Sequence, residues 1–232
     1  MVQSPMAAQG LYPDSDGQPM AENTLQYRWI VRLVSNLRRL LNDQTAFVAG
    51  DLLWYPIPVE VPPAPAQAPD AMVVLGRPPG ERGSYKQWEE DNIAPQVVFE
   101  ILSPSNSARE MLTKQAFYSQ YGVLEMYFYD PETFDFWGMV RSSADQDFAP
   151  IMAMNVPWVS PLLGIRFELF DTGLEVFYPN GDRFQDPEEV IVEREQFQQE
   201  RDQAQQERDR AQQERDRAFA KLRELGIDPS QL

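Results

Sequence analysis

Three side chains in this 232-residue chain have the types and spacing to do chemistry together: Asp70, Glu100 and Lys114. Glu100 stands within "PQVVFEILS", a run that is otherwise apolar. Lys114 follows in "SAREMLTKQAFYSQYG", with Met111 at i−3, Tyr118 at i+4 and Tyr121 at i+7, so its helical face is largely apolar. Read as a strand, the first run puts Val98, Glu100 and Leu102 on one side and Val97, Phe99 and Ile101 on the other. Burying a lone carboxylate costs several kcal/mol. Glu100 must therefore be neutral, paired, at an exposed edge or bound to a cation. Asp70, just after Pro69 at the start of the preceding apolar run, offers a second carboxylate.

Two chemistries suit this set. In one, Glu100 and Lys114 neutralise each other and Asp70 caps a strand or turn. In the other, the two carboxylates hold Mg²⁺ and Lys114 stands beside the attacking water, as metal-assisted phosphodiester hydrolysis requires. A Ser/Lys hydrolase using Ser103, Ser105 or Ser107 with Lys114 fits less well. Met111, not a serine, lies three residues before the lysine, and no Gly-rich oxyanion loop is evident.

Two absences narrow the field. With no Cys there is no disulfide, thiol nucleophile or thiolate zinc site, and with no His there is no Ser-His or Cys-His relay. Acid–base or metal chemistry falls to Asp, Glu, Lys, Tyr and Arg, and carboxylate oxygens favour hard cations such as Mg²⁺, Mn²⁺ or Ca²⁺. The net charge of −16 argues against a broad basic face for nucleic acid, though a local basic cleft is compatible with it. No apolar run reaches the roughly 18 to 20 residues that span a bilayer. The first residues lack the basic start and apolar core of a signal peptide, so the expected location is cytoplasmic.

The elements that must position these residues follow from periodicity. Residues 22–42 place Leu25, Trp29, Ile30, Leu33, Val34, Leu37, Leu40 and Leu41 on one helical stripe. "AFVAGDLLWYPIP" reads as a strand, then a Pro-rich connection, then "DAMVVLG" as a second strand. "RPPGERGSYKQWEEDN" reads as a long polar loop. "QVVFEILS" is a strand, "SAREMLTKQAFYSQYG" a helix capped by Ser105 or Ser107 and stopped by Gly122, and "VLEMYFYDP" a strand. "FDFWGMV", "GIRFELF" and "LEVFY" add strands, with "YPNGDRF" as a turn. The order is α-β-β-β-α-β with further strands, a mixed α/β or α+β sheet domain. Trp54, Tyr55, Trp88 and Trp137 suit either base stacking or packing.

The expected organisation is an irregular segment (1–21), a folded domain (22–184) and a heptad-repeat helix (185–232). "QQERDQAQQERDRAQQERDRA" repeats every seven residues, placing Phe197, Ala204, Ala211, Ala218 and Leu225 in one row. The companion row is Arg201, Arg208, Arg215 and Leu222. A solvated helix held by pairs such as Glu207 with Arg210 and an Ala-lined self-association helix both fit this pattern.

Taken together, "GDLLWYP", "PDAMVV", "GSYKQWEEDNIAP", "PQVVFEILSPS" and K-x-x-x-Y-x-x-x-GV running into "YFYDP" resemble the Uma2 family (DUF820), as does the Gln/Glu/Arg-rich tail. The resemblance covers roughly residues 10–180 and is specific as a set. It implies a restriction-endonuclease-like αβββαβ core of the PD-(D/E)xK nuclease superfamily and a Mg²⁺- or Mn²⁺-dependent endonuclease. The implied substrate is nucleic acid, DNA foremost. The expected assembly is a homodimer, with the C-terminal helix as one route to it. It also implies that Asp70 and Glu100 hold the metal with the Ile101 carbonyl. The superfamily lysine would fall at Leu102; its place is taken by Lys114 on the following helix, a long stem able to reach the same point. Tyr118, one turn on, would orient the water, and Glu22 is a further candidate from the first helix. Gln26-Tyr27 stand where family members often have a His. The competing expectation is a non-catalytic interaction protein that retains the nuclease fold.

Overall fold

The computed structural model describes residues 10–15, 17 and 20–224. Helix α1 (Thr24–Leu40) is started by Asn23, whose side chain accepts the Gln26 N–H. Its stripe buries Trp29, Ile30, Leu33 and Leu37, each contributing roughly 1.5–3 kcal/mol. Strand β1 (Ala46–Ala49) follows, then β2 (Trp54–Tyr55), β3 (Ala71–Leu75), β4 (Tyr85–Lys86) and β5 (Val97–Ile101). Helix α2 (Ala108–Tyr121) leads into β6 (Glu125–Tyr129), β7 (Phe136–Val140) and β8 (Ala149–Ile151). The short β9 (Trp158–Val159), β10 (Arg166–Phe170) and β11 (Gly173–Phe177) precede the long helix α3 (Pro187–Glu224).

A six-stranded sheet ordered β1-β3-β5-β6-β7-β8 forms the centre. Its pairs are antiparallel except β5 with β6, which run parallel because α2 carries the chain back across the sheet. Every residue of β5 and β6 is buried, as expected of strands covered on both faces. On one face, Val73, Val97, Phe99, Ile101 and Tyr127 pack with α1 and with Phe167 and Leu174 of the β11-β10-β9 sheet. On the other, Met72, Val74, Val98, Met126 and Phe128 pack with Met111 and Tyr118 of α2 and with Trp54 and Tyr85. The result is a mixed α+β domain with the αβββαβ order at its heart.

Two local expectations are corrected. The run from Ala46 to Pro58 is not one strand: it breaks after β1, where Asp51 takes φ 48°. A Cβ on Gly50 would meet the Val34 side chain at 2.9 Å and the Asp70 carbonyl at 3.2 Å, so the chain can pass between α1 and the start of β3 only as glycine. The segment after β3 is not wholly loop. Tyr85–Lys86 pairs in parallel with Trp54–Tyr55, and a 3₁₀ turn over Gln87–Glu89 follows. That pairing is between residues 31 apart in sequence, invisible to local periodicity.

The chain divides into two compact units, one ending at Asp186 and one beginning at Pro187. The second is α3, whose described side chains are nearly all exposed. Within the repeat, Gln198, Gln205 and Gln212 each donate to the Asp four residues on. The Leu225 of the heptad row and the side chain of Leu222 lie outside the described residues. Among the described residues, no helix is long and apolar enough to cross a membrane.

Candidate active site

The site sits where β3 begins and β5 ends. The register pairs Ala71 with Phe99 and Met72 with Val98, and one further step places Asp70 opposite Glu100. Both then belong to the sheet face covered by α2, since Asp70 shares parity with Met72 and Glu100 with Val98. Directly opposed residues have Cβ atoms roughly 4.5–5.5 Å apart, so two carboxylates confront each other in a buried position.

Helix α2 supplies the positive charge. Ser107 caps its start, accepting the Glu110 N–H at 3.2 Å, and Gly122 at φ 103° ends it. Lys114 Nζ donates to Glu100 Oε2 at 2.7 Å. One turn later, the Tyr118 hydroxyl donates to the other oxygen, Oε1. Leu102 packs into the same cluster as a partly buried apolar residue, and the ammonium arrives from the helix instead. Of the candidates, Asp70, Glu100, Ile101, Lys114 and Tyr118 are therefore brought together.

The electrostatics show an imbalance. Burial raises the Asp70 carboxyl well above its ordinary range, and the Glu100 charge adds to that; Lys114 and the Ile101 N–H pull back only in part. Glu100 is also raised by burial, against the opposing pull of Lys114 and the Tyr118 hydroxyl. Burial acts to lower Lys114, but Glu100 and Asp70 outweigh it and the ammonium is held above its usual value. Tyr118 is pushed far up by burial and by Glu100, so it stays a phenol and a donor. Two carboxylates thus share one ammonium.

Among the described residues, no cluster of three or more Asp and Glu side chains is arranged to hold a metal. Mg²⁺ does not need one: it is commonly held by one or two carboxylates and keeps several waters. The opposed pair, under-neutralised by its one ammonium, fits such a hard dication. The Ile101 carbonyl lies at the same strand end and has two lone pairs.

Sequence reasoning placed Glu22 on the first helix, and the structure puts it just before the helix, outside the N-cap. Its exposed carboxylate accepts from the hydroxyls of Ser103 and Ser105, which hold it below its ordinary range. Those two serines therefore serve Glu22 and not Lys114. Three supports were not read from sequence, which marked Gln26 only as standing where relatives often have a His. Gln26 bonds the Ile101 carbonyl, Asp51 adds negative charge toward Asp70, and Trp54 stacks on Tyr118 at 6.3 Å and 8°. Only the "GD" of "GDLLWYP" hinted at Asp51. Of the aromatic set, Trp54 is fully buried, Tyr55 and Trp88 pack around Tyr12, and Trp137 stacks on Phe128.

A family model, Uma2, described as "Putative restriction endonuclease", matches residues 14–146, more than half of the chain. No curated protein matches. A crystal structure from Anabaena variabilis, described as "a putative nuclease belonging to DUF820", is 18% identical. The match covers 65% of this chain and 81% of that one, with a TM-score of 0.44.

Proposed function

The chain belongs to the Uma2 family, and on that premise we propose that it is a metal-dependent nuclease hydrolysing phosphodiester bonds of nucleic acid, DNA foremost. The observation that carries this reading is the buried, opposed pair Asp70 and Glu100 sharing the single ammonium of Lys114. A purely structural ion pair has no use for the second carboxylate, whose burial is a cost.

Asp70, Glu100 and the Ile101 carbonyl would hold Mg²⁺ or Mn²⁺. A cation held there would neutralise the pair and lend positive charge to the phosphate oxygens. Lys114 stands at the edge of the site, 2.7 Å from Glu100 and partly open to solvent. Its ammonium orients the attacking water and offsets negative charge as the new P–O bond forms. Tyr118, kept protonated, fixes the second oxygen of Glu100 so that the carboxylate cannot turn away. Self-association through α3 completes the proposal: Phe197, Ala204 and Ala211 lie in one row on a helix whose apolar side chains are exposed.

The test is a cleavage assay on plasmid, single-stranded DNA and RNA, with Mg²⁺ or Mn²⁺ and then with EDTA, comparing wild type with Asp70→Asn. Metal-dependent cleavage by wild type and none by the variant is the expected outcome. A wild-type protein that neither binds metal nor cuts any substrate refutes the nuclease reading and leaves an interaction protein on a nuclease fold.

A further inference from the structure

We propose that Gln26 is the residue that positions the metal-holding strand end, acting through the Ile101 carbonyl. The inference rests on the metal-site reading above and adds a residue to it.

Gln26 lies on the first turn of α1, yet it is 6% exposed. A buried amide costs free energy unless its polar atoms are bonded, and an apolar residue would otherwise suit a helix face packed on a core. Both ends of this amide are used. Its Oε1 accepts the Glu22 N–H at 2.9 Å, and its Nε2 donates to the Ile101 carbonyl at 2.8 Å. Ile101 in turn donates its own N–H to Asp70 Oδ2 at 2.6 Å. One residue of β5 is thus gripped by two side chains from other elements, Gln26 from α1 and Asp70 from the start of β3. The residue before it in sequence is Glu100.

The consequence is geometric. The Nε2 donor occupies one lone pair of the Ile101 oxygen and sets the direction of the other, which is the one left for a cation. The Ile101 N–H belongs to the preceding peptide group, which Asp70 holds, so the two peptide groups that meet at the Ile101 Cα are each fixed by a side chain. Gln26 therefore aims one of the three donor groups, the Ile101 carbonyl, without touching the metal itself. Partners that orient metal ligands in this way are typically worth about 10- to 100-fold in metal affinity.

The experiment is a calorimetric titration of the full-length protein with Mn²⁺, paired with thermal melts in EDTA. It uses wild type, Gln26→Met (near-isosteric, without the donor), Asp70→Asn and the double variant. Mn²⁺ affinity in Gln26→Met is expected to fall about tenfold or more, with folding retained. In the Asp70→Asn background, where the cation has already lost a carboxylate ligand, Gln26→Met should bring little further loss of Mn²⁺ affinity. A merely structural glutamine would lower the melting temperature in both backgrounds and leave the Mn²⁺ affinity of the folded protein within twofold. That result overturns the inference while leaving the metal site standing. If wild type binds no Mn²⁺, the metal-site reading falls, and this inference with it.

Discussion

Replacing Lys114 with Met removes the only ammonium that, among the described residues, bonds the carboxylate pair, while keeping the length and most of the apolar stem. In the wild type, Nζ lies 2.7 Å from Glu100 Oε2, and Glu100 is 2% exposed. Charge centres roughly 4 Å apart attract by about 4 kcal/mol at an effective dielectric near 20. That agrees with the about 3–5 kcal/mol lost when one member of a buried pair is removed. For a domain of this size, each kcal/mol moves the melting temperature by about 2–4 °C, so Lys114→Met should melt about 6–20 °C lower at pH 8 in EDTA. The deficit should shrink toward pH 5, because Glu100, already raised by burial, takes up a proton once its counter-charge is gone. Added Mg²⁺ should recover part of the loss, since a dication between the carboxylates replaces the missing charge. Differential scanning calorimetry at the two pH values, with and without Mg²⁺, measures all three effects. A variant that melts within 1–2 °C of wild type at pH 8, with no dependence on pH, would refute the charge-sharing argument.

Two further outcomes are expected. Asp70 and Glu100 both have folded-state carboxyls above their ordinary values, so the folded protein binds more protons than the unfolded chain between that ordinary range and the raised one. Their contribution to stability is therefore full at low pH and lost as pH rises. In EDTA, Asp70→Asn, which keeps an acceptor for the Ile101 N–H but carries no charge, should melt higher than wild type at neutral pH. The gap should close as pH falls, and a constant gap would contradict the assignment. For α3, light scattering at tens of micromolar should show a dimer that Ala204→Glu with Ala211→Glu converts to monomer. An unchanged mass would remove the alanine row as the interface.

Much of the candidate site was legible in the sequence because its signals are local. Glu100 in an apolar run and Lys114 on an apolar helical face each break a pattern, and a four-residue spacing puts Tyr118 above the lysine. The identity of the helix cap, Ser107, was legible to within two residues. Gln26 was marked only as a departure from the family's His, and its bond was not legible, because a glutamine on the first turn of an amphipathic helix looks like any solvated polar residue. Only packing brings its amide to a carbonyl 75 residues away. Asp51 and the β2–β4 pair escaped for the same reason: their partners are distant in sequence and their own periodicity is short.

The sequence by itself determined the αβββαβ order, the burial of β5 and the exclusion of histidine and thiol chemistry, since these depend on composition and on patterns within an element. Tertiary structure decided which charges meet. Strand register set Asp70 across from Glu100, and the rotation of α2 on the sheet aimed Lys114 and Tyr118 at the same carboxylate. The position of α1 brought Gln26 to the Ile101 peptide. A carboxylate's preference for water is written in its own chemistry, but the low dielectric that makes two of them compete for one ammonium exists only once the sheet has closed around them.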